Sequence, residues 1–290
     1  MVLLSGSDSV REWLGSALFA RVAGPEGPET RERIHGTPGP RWFAPDRPIR
    51  TVHGDASMFV GGLTALLLQS LHPLVMGAVA THSGYRSDPW GRLQRTSAFL
   101  ATTTFGTAED AQRAVDAVRA VHERIAGTAE DGTPYRASDP HLLGWVHAAE
   151  VDCFLRAHQR YGASPLTPAA CDAYVTDTAV VARALGVVDP PQSTEDLAAV
   201  LTFYRGELRS TAACEEAMRF LLLRPPVPLL LLPGYASLAS AAVHLLPRWA
   251  RPMLHLPPLP LEAVTAPLAG RAVVGAVRWA LPTPPDPHAP

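Results

Sequence analysis

Apolar residues in this chain recur every third and fourth position over most of its length. Alternating polar and apolar runs rich in Val, Ile and Thr are almost absent. The pattern predicts an all-α protein. Its most apolar segment, SMFVGGLTALLLQSL at 57–71, carries apolar side chains nearly all round, as expected of a helix buried on every side. Asp55 stands where it can cap that helix, Pro73 should break or kink it, and the apolar run continues to about Ala80. Gly61 and Gly62 leave room for another backbone, or a flat ligand, to come close.

A helix over 92–104 is expected next. Thr107 and Asp110 in TAED have capping-box spacing and open a helix that should stop at Gly127, with Ala111, Val115, Val118, His122 and Ile125 on one face. Further helices are expected at 142–162, 168–185, 194–204, 206–223, 234–246 and 259–280. The Pro- and Gly-rich residues 24–50 predict an irregular surface arm, so 1–50 is taken as an N-terminal arm and 51–281 as one helical domain. The tail PTPPDPHAP at 282–290 is expected to be disordered.

Composition narrows the functional field. With 290 residues, 47% of them hydrophobic, the chain can bury a substantial core. A net charge of −2 gives no global attraction to phosphate backbones, so nucleic acid is not an expected partner. All 25 basic residues are Arg, so no lysine can serve as metal ligand or Schiff base. The scattered Cys153, Cys171 and Cys214 form neither a disulfide framework nor a zinc cage, and MVLLSGSDSV lacks the charged start of a signal peptide. A cytoplasmic location is the expectation. Residues 220–246 are interrupted by Arg224 and four prolines, leaving pieces shorter than the ~20 apolar residues a span requires, so no stable membrane span is expected. The nucleophile-elbow and phosphate-loop motifs are missing.

Several polar residues sit inside these apolar elements. His122, on the inner face of its helix, has the setting of an axial haem ligand or of a core histidine bonded to a carbonyl, and its spacing alone does not single out the ligand. In DPWGRLQRT at 88–96, Arg92, Arg95 and Thr96 share a helical face. They either face water or pair with buried anions, for which haem propionates, a phosphate, Asp55 and Asp88 are candidates. His147 and Glu150 form an H-x-x-E pair, while His158 is three turns from His147, about 16 Å, and too far to share a metal with it. Gln69, His72 and His82 are the remaining polar residues in apolar surroundings, and His72, directly before Pro73, can satisfy backbone or face a ligand.

Taken in order, HGD at 53–55, GG-x-x-ALLLQ-x-x-HP at 61–73, DP-x-GRL-x-RT at 88–96, FG at 105–106, V-x-x-VH-x-x-x-x-G at 118–127 and WVHA at 145–148 resemble the DUF2236 family of MpaB-like oxygenases and rubber oxygenases. The resemblance spans about residues 50–210. It implies an all-helical fold enclosing one non-covalent haem b, with His122 as proximal iron ligand, and Arg92, Arg95 and Thr96 on the distal, catalytic side. Gly62, Gln69, His72 and His147 are expected around the cofactor, with Arg92 also in contact with it. Arg95 departs from the pattern, because the rubber oxygenases carry there a lysine able to coordinate iron, whereas a guanidinium stays protonated. The implied activity is oxygenation, by O2, of a small apolar and unsaturated, isoprenoid-like molecule. The alternatives are a haem carrier or sensor without turnover, and a non-haem metalloenzyme built on His147 and Glu150.

Overall fold

The computed structural model describes residues 6–281, with side chains from residue 11, so the expected tail at 282–290 lies outside the described residues. Fourteen α-helices account for most of the chain: α1 Gly6–Ala23, α2 Gly27–Gly36, α3 Pro48–His53, α4 Met58–Gln69, α5 Pro73–His82, α6 Pro89–Phe105, α7 Ala108–Arg124, α8 Pro140–Tyr161, α9 Pro168–Leu185, α10 Thr194–Tyr204, α11 Ala212–Leu223, α12 Leu232–Leu245, α13 Ala250–Met253 and α14 Glu262–Ala280. The all-α expectation holds. One small antiparallel hairpin, β1 Ala126–Thr128 with β2 Pro134–Arg136, lies between α7 and α8 and has Gly127 opposite Tyr135.

Side-chain caps start the helices that matter most for the site. Asp88 accepts from Gly91 N at 2.9 Å before α6, Thr107 accepts from Asp110 N at 3.1 Å before α7, and Asp139 accepts from His141 N at 2.9 Å before α8. Pro89 and Pro140 occupy first-turn positions, where a missing N–H costs nothing. The same logic corrects the N-terminal arm. Pro28 and Pro48 sit in the first turns of α2 and α3, and Ile34, Phe43 and Ile49 are buried, so residues 27–53 pack as part of the helical body.

At the centre, α4 packs against α8 on one side and against α12 and α14 on another. A Cβ added to Gly61 would come within 2.8 Å of the Phe154 ring and 3.1 Å of its Cα, so this glycine is what allows α4 and α8 to approach. Gly62, by contrast, has only ordinary contact with Phe154, at 3.9 Å, and keeps accessible surface. Between α4 and α5 the chain turns by 109°, with His72 extended ahead of Pro73. Among the described residues no single helix is long and apolar enough to cross a membrane; only the bent α4–α5 pair has the length and composition together.

Two local expectations change. Asp55 does not cap α4: it accepts from Ser57 N at 2.7 Å and is gripped by Arg278, whose Nη2 stands 2.9 Å from each carboxylate oxygen. Helix α7 ends at Arg124 rather than Gly127, because the chain becomes extended at Ile125 and enters the hairpin.

Candidate active site

Helices α6 and α7 pack together and are joined at Gly106–Thr107, so Arg92 and His122 both lie at the ends away from that turn. Ala111 and Val115 on the inner face of α7 are fully buried, and His122, at the last turn of the same face, is half-buried. Its Nδ1 is buried without a hydrogen-bond partner, and burial alone lowers its pKa. The ring is therefore neutral at pH 7, the form that ligates a metal.

Arg92 is the more demanding residue. Its pKa is lowered, chiefly by burial and further by the like charge of Arg95. Its Nη1 donates to Ser83 Oγ at 2.6 Å, but among the described residues it forms no ion pair. A desolvated guanidinium with a neutral hydroxyl as partner is electrostatically incomplete, and an anion brought to it would complete it. Arg95 goes elsewhere. It is exposed and pairs with Asp88 at 3.3 Å, while Thr96 turns its hydroxyl back to donate to Arg92 O at 3.1 Å.

A second group of polar residues lies along α8. His147 Nε2 is buried without a partner, and burial lowers the pKa of this histidine to about 4. One turn on, burial raises the Glu150 carboxyl to about 7. Each keeps some accessible surface although protein surrounds it. His53 is better satisfied, with Nδ1 2.8 Å from Thr104 Oγ1 and Nε2 3.2 Å from the Tyr174 hydroxyl. Burial takes its pKa down to about 3, so it ties α3 to α6 and α9 as a neutral ring.

The other residues expected around a cofactor are distributed. Gln69 uses its amide to donate to Val146 O at 3.0 Å, and Trp145 Nε1 donates back to Gln69 O at 3.3 Å, so this pair fastens the end of α4 to α8. His72 converges instead with His141 and Glu207; one ligand-type atom from each lies within 4.8 Å of the others. Among the described residues this is the one such group of three, so His147 and Glu150 do not gather a third ligand, from His72 or elsewhere.

The sequence profile described as "ER-bound oxygenase mpaB/B'/Rubber oxygenase, catalytic domain" matches residues 50–279. The chain belongs to this oxygenase family. No curated protein and no solved structure matches it. The resemblance carried by the ordered motifs therefore holds over a longer stretch than the motifs themselves covered, reaching through α14.

Within this family member, sequence reasoning singled out Arg92, His122 and His72 but overlooked both partners of His72, His141 and Glu207. Glu207 sits in residues 205–211, a segment expected to be helical, whereas α11 begins only at Ala212 after its Thr211 cap. The Ser-Thr spacing ahead of Cys214 is the signal that could have shortened that helix. The partnership of His53 with Thr104 and Tyr174 left no sequence trace, since its members are 51 and 121 residues apart.

Proposed function

We propose that this chain is a haem-dependent oxygenase of a small, apolar, unsaturated molecule, with His122 as the axial ligand and Arg92 as the anchor for a haem carboxylate. The observation that carries this reading is the pairing, at one end of the α6–α7 hairpin, of a neutral histidine lacking a partner for Nδ1 with a desolvated arginine lacking an anion. These are two protein groups able to hold a non-covalent haem, one for its metal and one for its negative edge. The residues fit the group.

When bound, haem would supply the activation of dioxygen, which no side chain here can perform. The protein's own part is then to hold, orient and shield. Ser83 fixes Arg92 Nη1, so the guanidinium is oriented before an anion arrives. Gly62 on α4, which keeps accessible surface and has only ordinary contact with Phe154, leaves room for a group to approach that helix. Glu150, with a pKa near 7, can hold or release a proton at its carboxyl oxygen under ordinary conditions. Arg95 pairs outward with Asp88, and its guanidinium, unlike a lysine amine, would not coordinate a metal.

The test is the absorption spectrum of haem-supplemented protein beside His122→Ala and Arg92→Leu. Wild type should show a histidine-type Soret band. His122→Ala should lose that band's character, and Arg92→Leu should retain less haem under dialysis. A normal histidine-type spectrum in His122→Ala would overturn the axial assignment. Anaerobic reduction followed by oxygen, with a panel of unsaturated lipids, separates an oxygenase from a carrier or sensor: a carrier gives no product.

A further inference from the structure

We propose that His72, His141 and Glu207 form a binding site for a divalent transition metal of the zinc type. Three parts of the fold supply the ligands: His72 from the corner between α4 and α5, His141 from the first turn of α8, and Glu207 from the α10–α11 connection. Glu207 Oε2 lies 2.8 Å from His141 Nε2 and 3.3 Å from His72 Nε2, and the three ligand-type atoms all lie within 4.8 Å of one another. Around a tetrahedral ion with bonds of about 2.1 Å, donor atoms stand about 3.4 Å apart, so small adjustments would seat one.

His72 is the independent sign that something is to be bound. Its side chain is only 2% exposed, yet neither ring nitrogen makes a hydrogen bond; Glu207 Oε2 approaches Nε2 only as a 3.3 Å ion-pair contact, and Nδ1 has no partner. Glu207 spends both its oxygens on His141 Nε2, at 3.0 and 2.8 Å, and leaves His72 unserved. An ion at the centre would take one ligand atom from each of the three side chains, including one of the two unmet nitrogens of His72. Buried unmet nitrogens are otherwise costly, at about 1–3 kcal/mol each.

The scaffold holds the three ligands together through its backbone. Three residues before Glu207, the Tyr204 hydroxyl donates to His141 O at 2.7 Å, and Glu207 N donates to Tyr204 O at 2.9 Å. Two residues after Glu207, Arg209 N donates to Leu71 O at 2.9 Å, next to His72. Glu207 is thus strapped on both sides to the neighbours of its two histidines. Two imidazoles and one carboxylate suit zinc, iron(II) or cobalt(II) rather than magnesium or calcium, which prefer all-oxygen shells. The His141 and Glu207 side chains are each 40% exposed, which gives an ion a way in and leaves a coordination position for water.

The position on α8 keeps this site apart from Glu150. His141 and Glu150 are nine residues apart, which places them on opposite sides of the helix and about 13 Å apart along its axis. The inference is independent of the haem reading, and the two fail separately, because one is read by zinc content and the other by the Soret band.

The experiment uses the full chain, stripped with a chelator, dialysed against Zn²⁺ and analysed for metal, with Co²⁺ as a visible-absorption probe. One zinc per chain and cobalt d–d bands are expected for wild type. His141→Ala and Glu207→Gln alter half-exposed side chains and should keep the helical circular dichroism of wild type while binding zinc at least about a hundredfold more weakly. Zinc uptake by wild type no greater than by the double variant would overturn the proposal, as would unchanged affinity in both single variants.

Discussion

Replacing Glu150 with Gln should stabilise the haem-free protein, by an amount that grows with pH. Burial alone raises this carboxyl from its ordinary 4.5 to about 7. A raised carboxyl holds its proton more tightly in the folded than in the unfolded chain. Its contribution is therefore most favourable below 4.5 and is lost as pH climbs through 7, beyond which folding must keep a carboxylate inside. At about 1.4 kcal/mol per pH unit over that interval, the ceiling is about 3 kcal/mol. The residue keeps some accessible surface, and water reaching it screens the charge, so a gain of about 1–3 kcal/mol at pH 8 is the figure to expect. Gln has nearly the same shape and never ionises. Urea unfolding of both proteins at pH 5 and pH 8 measures the gap, which should fall below about 1 kcal/mol at pH 5. A gap of the same size at both pH values, or a destabilised variant at pH 8, would refute the account of Glu150 as a desolvated acid.

Other consequences can be checked alongside. Gly61→Ala should lower thermal stability by about 1–3 kcal/mol, because its Cβ meets the Phe154 backbone and ring, whereas Gly62→Ala should be neutral or gain up to about 1 kcal/mol from helix propensity; the reverse order would undo the assignment of the α4–α8 approach. Arg95→Ala removes an exposed ion pair with Asp88 and should change unfolding free energy by no more than about 0.5 kcal/mol. Glu262, accepting from both Nη atoms of Arg251 at 2.7 and 2.8 Å, is held down to about 2 chiefly by that arginine. Its stabilisation is present above 4.5 and lost as pH falls towards 2, so acid unfolding of Arg251→Ala should begin from a lower stability and show a shallower pH dependence in that window.

The helical frame was legible because it rests on local rules. α9 and α10 begin after Thr167 and Ser193, whose hydroxyls accept from the third residue on, and these caps are visible in the sequence. The corner at Pro73 was equally plain. What escaped depends on distance along the chain or on very short elements. Gly127 looks like a helix stop, but three-residue strands give too short an alternation to reveal the hairpin that holds it. His72 and Glu207 are 135 positions apart, and nothing local to either announces the other. Arg92 and Arg95 share a helical face by spacing, yet one is desolvated and the other meets Asp88 in the open, a difference set by what α6 packs against.

The 109° corner between α4 and α5 also bears on how the chain is handled as it is made. Read linearly, residues 58–82 offer an insertion machinery a continuous apolar stretch of spanning length. The extended His72 and the ring of Pro73 divide that stretch into two short cylinders set nearly at right angles, neither able to traverse a bilayer alone. The same corner delivers His72 to His141 and Glu207. Straightening it would carry His72 away from its two partners and open the metal site from its buried side.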